Sequence, residues 1–344
     1  MTEPRHVRLY AYLSSKGGVG KSTLAVATAW LAASTPGREA VLVDLDLWGS
    51  SLGDGLPLCA PKVPVADGLV LDLEGPASGE FMSRRDTVRA RHARRFSPID
   101  DGSRPEQLTY TNDALYAAAR GDVLAAPIEH FLWRLDGPAG DLPLRVVPSS
   151  PLRDDLERVA GWMADLDALP IWAARVWWLV QTLIAHRPRL TDIVCDLPPG
   201  LVGLPLPFLA LIGAHASGRP QPDGFPKVAV DVRLEILPAF VTTPDLNALA
   251  ITAEAFLFHQ GDVPGLSLIV NRGQGGRDAV RTHLEAHFEP FFEMDPYQLH
   301  RQCVMIDERR EMQFFARAFS GLGALDGAGL AALRRGLRVH AGEP

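Results

Sequence analysis

The sequence predicts an α/β fold with a doubly wound, mainly parallel sheet. Three observations carry that expectation. Apolar runs of strand length recur along the chain, helical stretches separate them, and a glycine-rich loop joins the first run to the first helix. Strands that alternate with helices pair in parallel, because each helix carries the chain back across a sheet face.

Val7–Leu13 reads as the first strand and Ser22–Ala33, rich in leucine and alanine, as the first helix. Pro36 and Gly37 end that helix, and Ala40–Leu45 follows as a second strand. Strand, glycine loop, helix and strand in that order make a βαβ unit. Residues 53–143 break the rhythm with frequent Pro, Gly and Asp and a cluster of arginines (Arg84, Arg85, Arg89, Arg91, Arg94, Arg95). This tract is expected to be an insertion after the second strand, with short helices near Asp113–Arg120 and Pro127–Leu135. Alternation then resumes with a strand at Leu144–Pro148, helices at Leu152–Leu166 and Pro170–His186, and a strand at Asp192–Asp196. Trp172, Trp177 and Trp178 on the second helix are expected to pack on the sheet. After the Pro/Gly-rich loop Gly218–Pro226, Val228–Thr242 forms either one strand or two. A helix at Asp245–His259, a strand at Leu266–Asn271, a helix at Arg277–His287, a short strand at Glu289–Glu293 and helices from Gln298 onward complete the chain. The whole, residues 1–344, is expected to be a single domain carrying the 53–143 insertion.

The chain has 344 residues, 47% hydrophobic and 22% charged, with a mean hydropathy of +0.04. That is ordinary material for a globular core. A formal charge of −7 argues against an overall basic coat for nucleic acid, although it leaves room for a local basic patch. Cys59, Cys195 and Cys303 are far apart and form no CxxC pair, so a reducing, cytoplasmic setting is expected. No long apolar run opens the chain, so no signal peptide is expected. The longest uncharged apolar stretch, Leu197 to Ala214, carries Pro198, Pro199, Pro205 and Pro207, which fits a buried loop and helix better than a membrane span.

Lysine is scarce. Of 34 Lys and Arg residues only Lys16, Lys21, Lys62 and Lys227 are lysine, and two of these share one loop. A compact ammonium on a flexible stem fits between phosphates where a planar guanidinium does not. The loop reads Ser15-Lys16-Gly17-Gly18-Val19-Gly20-Lys21-Ser22-Thr23, after a strand and opening a helix, which is the context a P-loop requires. Gly17, Gly18, Val19 and Gly20 bring successive backbone N–H groups into one concavity, and the helix N-terminus adds its partial positive charge. In such a loop Lys21 reaches the β- and γ-phosphates, Ser22 ligates Mg²⁺ and Thr23 touches the α-phosphate.

Ser15 stands where the ordinary P-loop has its first glycine, and Lys16 is an additional lysine. This resembles the deviant Walker A signature of the ParA/MinD/Mrp ATPases. The resemblance implies an ATPase of the P-loop NTPase fold using ATP and Mg²⁺, in which Lys16 reaches across a homodimer to the partner's nucleotide. An extra cation at the transferring phosphate follows the logic of an arginine finger. Val41–Asp46 ends in carboxylates two residues apart, which at strand period project on one face. It resembles the family's switch I, in which Asp46 would position the attacking water and Asp44 would support the Mg²⁺ hydration shell. Asp192–Gly200 has the apolar strand, aspartate and Pro-Pro-Gly of Walker B and switch II. There Asp196 would hold Mg²⁺ through water, and Gly200 would offer its N–H near the γ-phosphate. Val241-Thr242-Thr243-Pro244-Asp245 is similar to the family's strand end after switch II. Leu268–Arg272 resembles its adenine-contact motif, so Asn271 either contacts the base through its amide or serves as a turn residue before Gly273.

The resemblance covers roughly residues 7–52 and 144–272. Leu47-Trp48-Gly49-Ser50-Ser51 is closer to the Mrp-like iron–sulfur carriers than to plasmid partition proteins, but those carriers use a CxxC, so no iron–sulfur cluster is expected. A final helix bearing Leu330, Leu333 and Leu337 with Arg334, Arg335 and Arg338 either packs on the domain or lies on a membrane. The arginines there and at 84–95 are either a solvated face or a DNA contact. The leading reading is an ATP-driven dimerising switch that organises an unidentified protein partner, DNA or membrane. Its rivals are a small-molecule ligase of related fold, which Lys16 disfavours, and a nonhydrolysing scaffold, which Lys21, Ser22, Asp46 and Asp196 disfavour.

Overall fold

The computed structural model describes residues 4–49, 51–59, 110–119, 128–135, 141–151, 153–219, 231–273, 302–307 and 327–339, with 61, 63–64, 70–71, 282 and 284–286. A nine-stranded sheet organises them. Its strands are β1 (Arg5–Leu13), β2 (Glu39–Asp44), β3 (Leu58–Cys59), β6 (Trp133–Leu135), β7 (Leu144–Val147), β8 (Leu190–Asp196), β9 (Val232–Thr242), β10 (Ser267–Gly273) and β11 (Cys303–Asp307). They lie in the order β11-β10-β9-β1-β8-β2-β7-β6-β3. Pairing is parallel from β11 to β7 and antiparallel at β6 and β3. A separate two-stranded antiparallel ladder joins β4 (Val63–Pro64) to β5 (Val70–Leu71). The fold is therefore the mainly parallel, doubly wound sheet expected of a P-loop NTPase.

Side-chain alternation splits the core cleanly in two. Val7, Leu9, Ala11 and Leu13 face one layer, and Tyr10 and Tyr12 face the other. In β2 and β8 the same period sends Val41, Val43, Ile193 and Cys195 to the first layer and Ala40, Leu42 and Val194 to the second. The second layer is covered by α1 (Lys21–Ala33), whose inward face is largely alanine and lets helix and sheet approach closely. Tyr12 OH and Thr28 Oγ1 share a hydrogen bond of 2.6 Å across that contact. After α2 (Ser51–Gly55) and α3 (Thr111–Ala119), the first layer is covered by α4 (Arg153–Ala164), α5 (Leu169–His186), α6 (Pro205–Ala216) and α7 (Leu246–His259).

Trp172 and Trp177 of α5 are buried in this first layer, and Trp178 is partly buried against it. The run Leu166–His186 is long and apolar enough to cross a membrane, the one such helix among the described residues, yet apart from the exposed Leu166 and Ile171 most of its large apolar side chains lie in this core. Val228–Thr242 yields one strand over its described part, and Asp245 caps α7 by accepting from the Ala248 N–H at 3.0 Å. At the C-terminus α8 (Gly327–Gly336) lies on the sheet, with Leu333 and Leu337 buried, Arg334 donating to Thr35 Oγ1 (2.7 Å) and Arg338 to the Gly265 carbonyl (2.8 Å). This agrees with the packed alternative for that helix.

Two expectations are corrected. The helix expected near Pro127–Leu135 is absent over the described residues 128–135: Ile128–Phe131 forms one 3-10 turn and Trp133–Leu135 the antiparallel strand β6. Trp133 and Leu135 are buried about an exposed Arg134, a period of two that the short apolar run concealed. The chain after Gln298 is not all helical either. Cys303–Asp307 forms β11, because a short Val-Met-Ile run finds an open edge on β10 that only the assembled sheet provides. The arginines at 84–95, most of the loop at 218–226 and the strand at 289–293 lie outside the described residues. Of the helix at 277–287 only Thr282 and Leu284–Ala286 are described, and these are helical.

Candidate functional site

The sheet order reverses about β1 and β8: the chain crosses from β1 to β2 on one side and later reaches β9 on the other. Open α/β sheets bind ligands in the crevice at the carboxyl ends of strands at such a switch point. The glycine loop leaves β1 here and enters α1. Gly18 and Gly20 take left-handed backbone angles, φ 79° and 86°. Gly20 caps α1 without a side-chain hydrogen bond, and no acidic residue occupies the first turn. The N-terminal N–H groups of α1 thus keep their capacity to bind an anion.

Strand register sets the carboxylates. Asp44 pairs with Asp196 across β2 and β8, and Tyr12 pairs with Asp196 across β1 and β8. Neighbouring residues in a parallel pair share a face, so Asp44 and Asp196 both project on the α1 side. Each is fully buried. Lys21 Nζ, also buried, forms an ion pair with Asp196 Oδ1. Asp196 Oδ2 is buried with no hydrogen-bond partner among the described residues. An ionised oxygen so placed is costly unless a cation or donor joins it. The donor set of Ser22, beside Lys21, and this orphaned oxygen fits Mg²⁺, a hard cation that prefers oxygen and keeps part of its water shell.

Asp44 accepts from Ser149 Oγ at 2.8 Å and from the Asp46 N–H at 3.1 Å. Burial, and then the neighbouring Asp196 charge, push its carboxyl up to about 8. The Asp46 carboxyl is raised as well, chiefly by burial, against the opposing pull of Lys21. Val43, Leu45 and Leu47 all face the first layer, so the alternation that sends Asp44 to the other side carries on to Asp46, as expected. β2 ends at Asp44, and Asp46 lies in the following turn, where its Oδ1 accepts from the Gly49 N–H at 3.1 Å. A Cβ at Gly49 would stand 2.7 Å from Asp46 Oδ2, so a side chain there would displace the Asp46 carboxylate.

Switch II also folds back. The Gly200 N–H donates to the Ser14 carbonyl at 2.8 Å, and Pro199 approaches Gly17. Lys16 and Gly17 are exposed at the rim, and Ser22 and Thr23 are partly exposed in the first turn of α1. Asn271, at the end of β10, is 8% exposed and donates through Nδ2 to the Val19 carbonyl at 2.9 Å.

Every sequence-predicted residue therefore lies at this one edge. Ser149 and Thr252 escaped notice, and Arg272 had no role of its own within the Leu268–Arg272 motif. Ser149 holds Asp44, Thr252 Oγ1 shares a hydrogen bond of 2.5 Å with Ser15, and the Arg272 guanidinium comes beside Gly20. The Pro148-Ser149-Ser150 run after a strand was the only available signal, and it names no partner. Cys59 and Cys303 sit on opposite edge strands with Cys195 buried between them, so the three do not converge. Among the described residues no group of three or more His, Cys, Asp or Glu is arranged to hold a metal.

The family model ParA, NUBPL iron-transfer P-loop NTPase, matches residues 6–85. No curated protein matches the chain. Among solved structures, pnob8 ParA superposes with a TM-score of 0.53 at 13% identity, covering 96% of this chain and 98% of that one. A Cyanothece McdA variant in complex with ATP gives 0.52 at 13% identity, covering 98% of each. A ParA family ATPase from Chlorobium tepidum gives 0.50 at 12% identity, covering 97% and 99%. The chain resembles the ParA/MinD-type P-loop ATPases and has their fold.

Proposed function

We propose that this protein is an ATP-binding and hydrolysing switch that dimerises around ATP and Mg²⁺ and so organises a partner or cargo. One observation carries the reading. A buried Lys21–Asp196 pair at the switch point leaves one Asp196 oxygen without a hydrogen-bond partner among the described residues, while the additional lysine, Lys16, stands exposed at the rim.

Within this reading Gly17 to Gly20 and the first turn of α1 wrap the phosphates, and Thr23 meets the α-phosphate. Lys21 would turn from Asp196 toward the β- and γ-phosphates, leaving that carboxylate able to accept a cation. Ser22 and Asp196 would hold Mg²⁺, with Asp44 supporting its hydration shell. The ion supplies charge neutralisation on the transferring phosphoryl group. Asp46 orients the attacking water. Its half-buried, raised carboxyl suits a group that accepts a proton. Gly200 reaches the γ-phosphate only after its N–H leaves the Ser14 carbonyl, which makes switch II a reporter of nucleotide state. Lys16 enters the partner's site and ties hydrolysis to assembly. The ParA and McdA structures support this reading through the shared fold.

Mass measurement with ATP and Mg²⁺ tests it. Wild type is expected to dimerise transiently, Lys16→Ala to remain monomeric, and Asp46→Ala to accumulate as dimer. A wild type that hydrolyses ATP while monomeric throughout rejects the switch.

A further inference from the structure

The end of β10 is built to meet the glycine loop. Its pairing with β11 shifts register between Asn271 and Gly273, and Arg272 takes a left-handed φ of 57°. Bulges of this kind re-aim side chains, and a non-glycine residue keeps such a conformation only where its surroundings demand it. The consequence is a contact 252 residues apart in sequence: Asn271 Nδ2 donates to the Val19 carbonyl at 2.9 Å, in a nearly buried position. The loop makes room from its own side. A Cβ at Gly20 would fall 2.3 Å from Asn271 Nδ2 and 4.0 Å from an Arg272 guanidinium nitrogen, an approach that glycine alone permits.

The peptide between Val19 and Gly20 is planar and trans, so its carbonyl and its N–H point in opposite directions. Holding the carbonyl therefore fixes the N–H. We propose that Asn271 is a positioning residue of the P-loop: by anchoring the Val19 carbonyl it sets the Gly20 N–H for a bound phosphate, whatever base the nucleotide carries. This rests on the nucleotide-binding reading above and replaces recognition of adenine as the role of this side chain. A loop of glycines has much conformational freedom to lose on binding, and one fixed peptide plane removes part of that loss beforehand.

The test compares wild type with Asn271→Ala in two measurements. Calorimetry with Mg²⁺ reads affinities for pyrophosphate, ATP and GTP. Amide hydrogen exchange on the nucleotide-free protein reads residues 16–23 against peptides from β1 and β8. Loss of one hydrogen bond is expected to weaken all three ligands by about tenfold, leaving the ATP-to-GTP ratio within about twofold. Exchange in 16–23 is expected to quicken while β1 and β8 stay as they were. Asn271→Asp, which keeps the size and removes the donor, is expected to lose at least as much. Unchanged pyrophosphate affinity and exchange, with a loss confined to ATP over GTP, overturns the proposal in favour of base contact. Faster exchange throughout the domain also overturns it, as a general packing role. If wild type binds none of the three ligands, the nucleotide reading fails, and exchange alone decides whether Asn271 orders the loop.

Discussion

Gly20→Ala isolates the strain and the contact that meet at one atom. The backbone there has φ 86°, and a left-handed conformation costs a non-glycine residue about 1–2 kcal/mol. The new methyl group would also stand 2.3 Å from Asn271 Nδ2 and must displace it from the Val19 carbonyl, at about 1 kcal/mol for the lost hydrogen bond. The sum is a destabilisation of about 2–3 kcal/mol, read by urea unfolding of the nucleotide-free protein. Asn271→Ala alone is expected to cost about 1 kcal/mol. In the double variant that bond is already absent, so Gly20→Ala should add only the backbone term. The cycle then shows a coupling of about 1 kcal/mol. Additive effects would mean that the methyl group never meets the asparagine amide, and the close approach would be refuted along with the energy assigned to it.

Other outcomes follow from the carboxylates. Asp44 has its folded-state carboxyl raised to about 8 from an ordinary 3.8. Between those values the folded protein holds a proton that the unfolded chain has released. Its contribution to stability therefore falls as pH rises through the window, by at most about 1.4 kcal/mol per pH unit, and the loss is complete above about 8. Nucleotide-free wild type should lose stability from pH 6 to pH 8 more steeply than Asp44→Asn, and parallel slopes would exclude Asp44 as the source. Ser149→Ala frees one Asp44 oxygen, and kcat is expected to fall about tenfold with ATP affinity little changed, Ser149→Thr restoring it; equal losses in both would mark Ser149 as a packing residue. Arg38 donates from both Nε and Nη2 to the buried Asp192. Arg38→Leu leaves that carboxylate unpaired and should cost about 3–5 kcal/mol in denaturant unfolding, an expectation that Arg38→Leu/Asp192→Leu should largely relieve.

Much of the site was legible because its parts are local. A P-loop is a short run whose glycines, lysine and hydroxyls act through their own backbone, so Gly17 to Thr23 could be read from spacing. Asp196 was equally plain, since an apolar strand ending in a carboxylate is written in consecutive residues. The alternation that buries Val41 and Val43 on one layer and Ala40 and Leu42 on the other is likewise a property of each strand. Ser149 and Thr252 were not legible: each acts through a residue far away in sequence, and a hydroxyl carries no mark of its partner. Asn271 was found, but the sequence left its bonding partner undecided. β6 and β11 were missed for a related reason. Three to five apolar residues satisfy a helix or a strand, and only a neighbouring edge with unpaired backbone groups decides between them.

The sequence by itself determined the chemistry of the phosphate site and the class of fold, because both rest on residue type and short-range period. Tertiary structure alone decided which atoms meet. It set Asp44 opposite Asp196 through strand register, left one Asp196 oxygen without a hydrogen-bond partner among the described residues, and turned Asn271 onto the carbonyl of Val19 through a bulge at the end of β10. Register and bulges are properties of pairs of strands, and a single run of sequence does not contain its partner.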